Sequence, residues 1–225
     1  MNTSLLKTVL TIVRKDLRAE LRSRELVSSM GLFALLAILI FSFALELDRA
    51  ARQEAISGVL WVTIVFASVI GLNRSMASER ENGNLDGMLI APVPRAAVFL
   101  GKLVGNLIFT LVVGAVLLPL MTVLYNRSLL DPWVIAILML GTIGFCTVGT
   151  LLATMTVQTR ARESLLPIVM MPIALPVLLG AVRGTTAILN DLPPADWMIW
   201  PQILLAVDIV YLLLCFFMFE YVIED

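Results

Sequence analysis

The stretch ERENGNLDGMLIAPVPRAAVFLGK, Glu79 to Lys102, lies between two long apolar runs, and its reading decides the fold. Eight of its 24 residues are charged or proline. Gly83 follows Asn82 and takes the left-handed conformation cheaply, so it marks a helix stop. Asn84 is placed to cap a new short helix, with Asp86 near its positive end. That helix presents Leu85, Met88 and Leu89 on one side. It must end before Pro92, because a residue preceding proline is pushed out of helical geometry. Pro94 then starts the helix that carries Arg95 and Lys102 into the next apolar run. The insert therefore reads as a short capped helix with an apolar knob, held between two breaks. A surface knob of that kind docks into something or packs beneath the bundle.

What surrounds the insert is membrane chain. The sequence is 60% hydrophobic over 225 residues, above the roughly 45–50% of soluble domains. Six runs have spanning length: Val27–Leu45, Ile56–Leu72, Leu103–Leu124, Trp133–Val157, Ser164–Val182 and Ile203–Val222. Continuous runs argue for helices and against a barrel of short alternating segments. The expected fold is an all-α polytopic membrane protein, one permease domain over residues 1–225. Within it, residues 1–26 form an amphipathic elbow helix, 74–102 a cytoplasmic segment between spans two and three, and 183–201 an outer loop. The first run is read as a retained anchor rather than a signal peptide, since 26 residues precede it.

Charge orients the spans. Twelve of the 16 basic residues lie before the first run, between Arg74 and Lys102, or at Arg160 and Arg162. Only Arg49, Arg52, Arg127 and Arg183 fall on the other side. Positive charge gathers in the cytoplasm, which places both termini there. Before the first run, Leu6, Leu10, Val13, Leu17 and Leu21 recur at helical spacing, with Arg14, Arg18 and Arg22 as a basic stripe facing the membrane surface.

Several residues stand out inside the spans. Pro167, Pro172 and Pro176 lie in the fifth run, where each removes a helical donor. Three within ten residues are expected to kink or break the helix, with freed carbonyls facing protein or a wet cavity. Asp208 lies in the outer half of the last run, where an ionisable group is costly. These four are the candidate gate or pathway residues. Gly141, Gly144 and Gly149 in the fourth run suit close helix packing within the chain. Trp197 and Trp200 suit an interfacial belt. Cys146 and Cys215 form no metal or haem-attachment motif and read as small apolar residues.

The sequence also excludes chemistry. It contains no histidine, so no Ser–His–Asp or Cys–His site and no histidine haem ligand. Gly101-Lys102 is not a phosphate loop, because Ala96 stands where the first glycine belongs and Leu103 follows the lysine. No catalytic or metal site is expected, and energy for uphill movement must come from a partner or an ion gradient.

The insert carries a resemblance. Glu81, Gly83 and Leu85, then Leu89, Pro92 and Pro94, ending in Gly101-Lys102, resemble the membrane subunits of type-2 ABC exporters. The short chain, "GVLWVTIVFASVIGLNRSMASERENGNLDGMLIAPVP" and "SLLPIVMMPIALPVLLGA" are similar to the cytochrome c maturation protein B family, the haem-exporter membrane subunits. The resemblance implies that Glu81, Gly83, Leu85, Met88, Leu89, Pro92 and Pro94 form a coupling helix docked in an ATP-binding subunit (CcmA). It further implies two copies of this chain in the bacterial inner membrane, beside CcmC and CcmD, serving the haem chaperone CcmE. ATP would be bound by the partner, haem would be a substrate of the complex, and this chain would bind no cofactor or nucleic acid. Alternatives are the permease of another type-2 exporter, for lipid, drug or polysaccharide, and a mechanical coupling subunit without a substrate path.

Overall fold

The computed structural model describes residues 5–45, 49–81, 94–156 and 162–222. Those residues form helices throughout: α1 (Leu5–Ser23), α2 (Glu25–Ala44), α3 (Arg49–Glu81), α4 (Arg95–Tyr125), α5 (Pro132–Thr156), α6 (Arg162–Leu189), α7 (Pro194–Trp197) and α8 (Ile199–Val222). Six of them, α2 to α6 and the α7–α8 segment, are long and apolar enough to cross a membrane. A helix satisfies most of its backbone internally, which the hydrocarbon region demands.

α1 and α2 meet at Arg24, whose φ of 56° turns the chain through the left-handed region. No side chain at that corner position caps α2. Glu20 does the work from the last turn of α1, accepting hydrogen bonds from the backbone N–H of Val27 at 2.8 Å and of Leu26 at 3.3 Å. The carboxylate also faces the positive end of α2. Glu20→Ala is expected to destabilise the folded chain by about 1 kcal/mol, the usual value of a lost helix cap, as read by denaturant titration in detergent.

α3 runs 33 residues, well past both ends of its apolar stretch, and carries helix through Arg74 and Arg80 to Glu81. α4 begins at Arg95, with Pro94 in the cap position. α5 is the hub and packs most extensively on α6 and α8; α2 lies on α3, and α1 on α4. The three glycines of α5 are notches within this hub. A Cβ on Gly141 would strike the Trp61 ring, one on Gly144 the Asp208 carboxyl, and one on Gly149 the side chains of Leu72 and Met170. Trp61 is further fixed by its indole N–H, which donates to Thr185 Oγ1 at 3.1 Å. Asn106 of α4 donates to Thr150 Oγ1 of α5 at 3.1 Å. Such links hold helices together where apolar surface alone gives little drive.

Three expectations change in detail. The fifth span is not broken: α6 continues through Pro167, Pro172 and Pro176 as one helix. A Pro leaves the rest of the ladder intact, and neighbouring groups compensate. The connection at 183–201 is mostly helical, since α6 continues through Arg183 to Leu189 and α7 occupies Pro194–Trp197. Finally, Trp197 is buried, with its ring centroid 5.0 Å from that of Trp133, so it fastens α7 to α5 instead of standing in an interfacial belt; Trp200 is half-buried.

Candidate functional site

Of the expected coupling residues, Glu81 ends α3 and Pro94 precedes α4, both exposed. Gly83, Leu85, Met88, Leu89 and Pro92 lie outside the described residues. The structure instead shows how the two stems of that segment are held.

α1 crosses the stems by a close approach. A Cβ on Gly101 would fall 2.8 Å from Ile12 Cβ, so the glycine admits the elbow helix to the surface of α4. One turn further, Gly105 faces Asp16 at ordinary van der Waals distance. Lys102 is then enclosed, with its side chain 3% exposed. Its ammonium donates to Asp16 Oδ2 of α1 at 2.8 Å and to Glu79 Oε1 of α3 at 2.5 Å. Lys15 closes the group, with Nζ 2.5 Å from Glu79 Oε1 and 3.2 Å from Asp16 Oδ1. Two ammoniums and two carboxylates thus tie α1 to the end of α3 and the first turns of α4, the helices that flank residues 82–93 in sequence.

Charge balance makes the burial tolerable. A single buried ammonium is strongly unfavourable, whereas one paired with two carboxylates is compensated. Burial pulls the Lys15 ammonium down, but its hydrogen bond to Glu79 and the nearby charge of Asp16 outweigh that and hold its pKa above the ordinary 10.5. A raised lysine pKa contributes stability that is present at neutral pH and is lost only as pH rises through the raised value. Beside the network is a cleft of about 80 Å³ bordered by Glu20, Glu25, Arg74 and Ser78. It is far below the roughly 300–1,000 Å³ of small-molecule pockets. The arrangement joins three helices through buried charge.

Only Lys102 of this network was singled out in the sequence, as the end of the coupling pattern. Asp16 carried a signal that was available: Thr8, Ile12 and Asp16 recur every four residues, and all three face the bundle. The leucine stripe chosen from the sequence lies mainly on a different face. Leu6, Leu10 and Leu21 are 72%, 67% and 75% exposed, while Ile12 and Val13 are buried. Arg14, Arg18 and Arg22 are exposed, so α1 presents a bundle face, an apolar outer face and a basic face.

Pro172 and Pro176 point outward from α6, among exposed Ile168, Val169, Ile173, Leu175 and Leu179; Pro167 is half-buried. The Tyr211 hydroxyl of α8 donates to the Ile173 carbonyl at 2.6 Å, next to the carbonyl that Pro176 leaves free. Asp208 is the reverse, buried at 4% exposure against Gly144.

The described residues therefore form an all-helical, multi-pass membrane protein in which Lys15, Asp16, Glu79 and Lys102 join three helices beside one polar connection. The CcmB protein family model matches residues 7–224, and the chain belongs to that family. It is 28% identical over 182 residues to heme exporter protein B of Pseudomonas aeruginosa, covering 80% of each chain. It is 29% identical over 191 residues to heme exporter protein B of Rhodobacter capsulatus, covering 82% of this chain and 87% of the relative. The protein of that name from Paracoccus denitrificans is 26% identical over 183 residues, 81% and 83% of the two chains.

Proposed function

We propose that this chain is the membrane-spanning permease subunit of an ATP-driven complex for haem export in cytochrome c maturation. The observation that carries the reading is the buried network of Lys15, Asp16, Glu79 and Lys102, because it fixes both stems of the insert to the elbow helix. A load on residues 82–93 from below would reach α1, α3 and α4 together. The segment would dock in the ATP-binding subunit CcmA through Leu85, Met88 and Leu89, with Glu81, Gly83, Pro92 and Pro94 shaping it. CcmC and CcmD would stand beside it, and the haem chaperone CcmE would receive or release the cargo. ATP and its hydrolysis belong to the partner, and haem is the substrate of the complex. The gathering of basic residues on one side supports cytoplasmic N- and C-termini, with the spans in a bacterial inner membrane.

Two copies are supported by α6. Its outward face carries Pro172 and Pro176, and carbonyls freed at proline need protein or water, not lipid. A second copy would cover that face at the dimer axis, leaving α6 able to change packing as the ATPase closes. The double change Pro172→Ala and Pro176→Ala is expected to leave protein level and assembly near normal and ATP hydrolysis active, while mature cytochrome c is lost. Protein level, ATPase rate and mature cytochrome are measured together. Full maturation at a normal level contradicts a role for these prolines in gating.

A second reading has support in the close packing at Gly141, Gly144 and Gly149: a mechanical subunit that frees the loaded chaperone and has no haem path of its own. Purification with the partner subunits, followed by assay of ATPase activity and bound haem, tests both. ATPase activity dependent on this chain supports coupling. Haem retained only when CcmC is present favours the mechanical form, and haem retained by this chain with CcmA alone favours a path. An ATPase rate indifferent to this chain contradicts both.

A further inference from the structure

Asp208 meets two other features of the bundle at one seam. Its carboxyl rests against Gly144, which is the middle residue of α5, twelve residues from either end. That is about 18 Å of helix in each direction. Val177, the residue after Pro176 on α6, borders the same notch. Tyr211, one turn along α8 from Asp208, holds the Ile173 carbonyl of α6. The α5–α6–α8 seam thus brings together the glycine notch, the proline section and the buried acid.

Neither carboxyl oxygen of Asp208 has a hydrogen-bond partner among the described residues. The helices packed on α8 are α4, α5, α6 and α7. α5 carries no charged residue. On α4, Arg95 opens the helix and Lys102 is engaged with Asp16 and Glu79. On α6, Arg162 and Glu163 begin the helix, and Arg183 is exposed near its other end. Asp196 lies on the short outer helix α7, and Glu220 near the far end of α8 itself. Of the uncharged titratable groups, Cys146 contacts Thr110 Oγ1 at 3.6 Å and the Tyr211 hydroxyl is committed to Ile173. Cys215, two turns along α8 from Asp208, is buried, and Tyr125 and Tyr221 stand at the ends of α4 and α8. Among the described side chains, none forms a hydrogen bond with the carboxyl.

Burying an ionised carboxylate without a protein partner at mid-bundle is strongly unfavourable, which favours the protonated acid. The neutral acid still leaves an O–H and an acceptor unsatisfied, so this packing is not its best environment. Any rearrangement that admits water between α5, α6 and α8 favours the carboxylate, and closing the seam favours the acid.

We propose that Asp208 is a proton-binding site linked to the packing of this seam. With the seam closed it is a carboxylic acid. When the seam opens, the O–H bond breaks, the proton passes to water and the carboxylate remains; closing takes a proton up again. The proton-binding claim stands apart from the haem reading, since it concerns only this chain in a membrane.

The probe is dicyclohexylcarbodiimide, an apolar reagent that adds across the O–H of a protonated carboxyl and rearranges to a stable N-acylurea. The whole chain, in detergent or vesicles, is labelled at mildly acidic and at alkaline pH, and the peptides are read by mass spectrometry. The expected result is an adduct on Asp208 that falls several-fold at alkaline pH and is absent in Asp208→Asn. The assembled complex carrying Asp208→Asn, which keeps the shape but cannot ionise, is expected at normal level with impaired cytochrome c maturation. No adduct on Asp208 at any pH, or labelling that does not change with pH, overturns the proton site. An adduct as expected with full maturation by Asp208→Asn overturns its link to the working cycle.

Discussion

Lys102→Met is expected to destabilise the folded chain by on the order of 3–5 kcal/mol, the cost of breaking a buried ion pair from one side. The variant removes the one network cation that is enclosed. Asp16 of α1 and Glu79 of α3 are then left with only Lys15, whose side chain is 41% exposed. α1 should detach from α4 before the spans separate, because Ile12 on Gly101 is the main apolar contact remaining at that point. Denaturant titration in detergent and protease access to α1 read the two effects. A neutral replacement of the enclosed set, Lys102→Met with Asp16→Asn and Glu79→Gln, should recover most of the stability, because no buried charge is then stranded. If the network only holds the fold, that triple variant also recovers function. If it transmits force, stability returns and ATP hydrolysis stays uncoupled from cytochrome c maturation. Stability of Lys102→Met equal to the parent's would contradict the enclosed geometry itself.

The spans were legible because twenty apolar residues in a row leave a chain few alternatives. The run read as Val27–Leu45 is helix from Glu25 to Ala44. Hydropathy sees only the part in lipid, so the run read as Ile56–Leu72 is the centre of a helix reaching from Arg49 to Glu81. The prolines of α6 misled for a physical reason. Local propensity treats each as a break, but a helix fixed by neighbours on one side tolerates missing donors on the other. The ion network was the least legible part of the site. Asp16, Glu79 and Lys102 belong to three helices, and the Lys102–Asp16 bond spans 86 positions. The signal available but not used was Ile12 and Asp16 on one face of α1, off the leucine stripe; Lys102 stands immediately before an apolar run. Asp208 was conspicuous at once, yet only the fold reveals that it rests in the notch at Gly144.

Leu85→Asp carries the other large expected effect. The sequence places Leu85 with Met88 and Leu89 on the apolar side of the coupling segment; the segment lies outside the described residues, so the prediction rests on that spacing and on the stems that the structure does describe. A carboxylate driven into an apolar contact has no partner and is strongly unfavourable. Binding of the partner should weaken by about two orders of magnitude or more, the usual loss when a central apolar contact of roughly 3 kcal/mol is replaced. Insertion should be untouched, because residue 85 is outside every span. The direct measurement is co-purification of the ATP-binding subunit on tagged Leu85→Asp and on the parent chain, with both at equal levels in the membrane. The account predicts that the ATP-binding subunit is retained by the parent and lost from the variant. Equal retention would contradict the claim that this segment couples the chain to an ATPase.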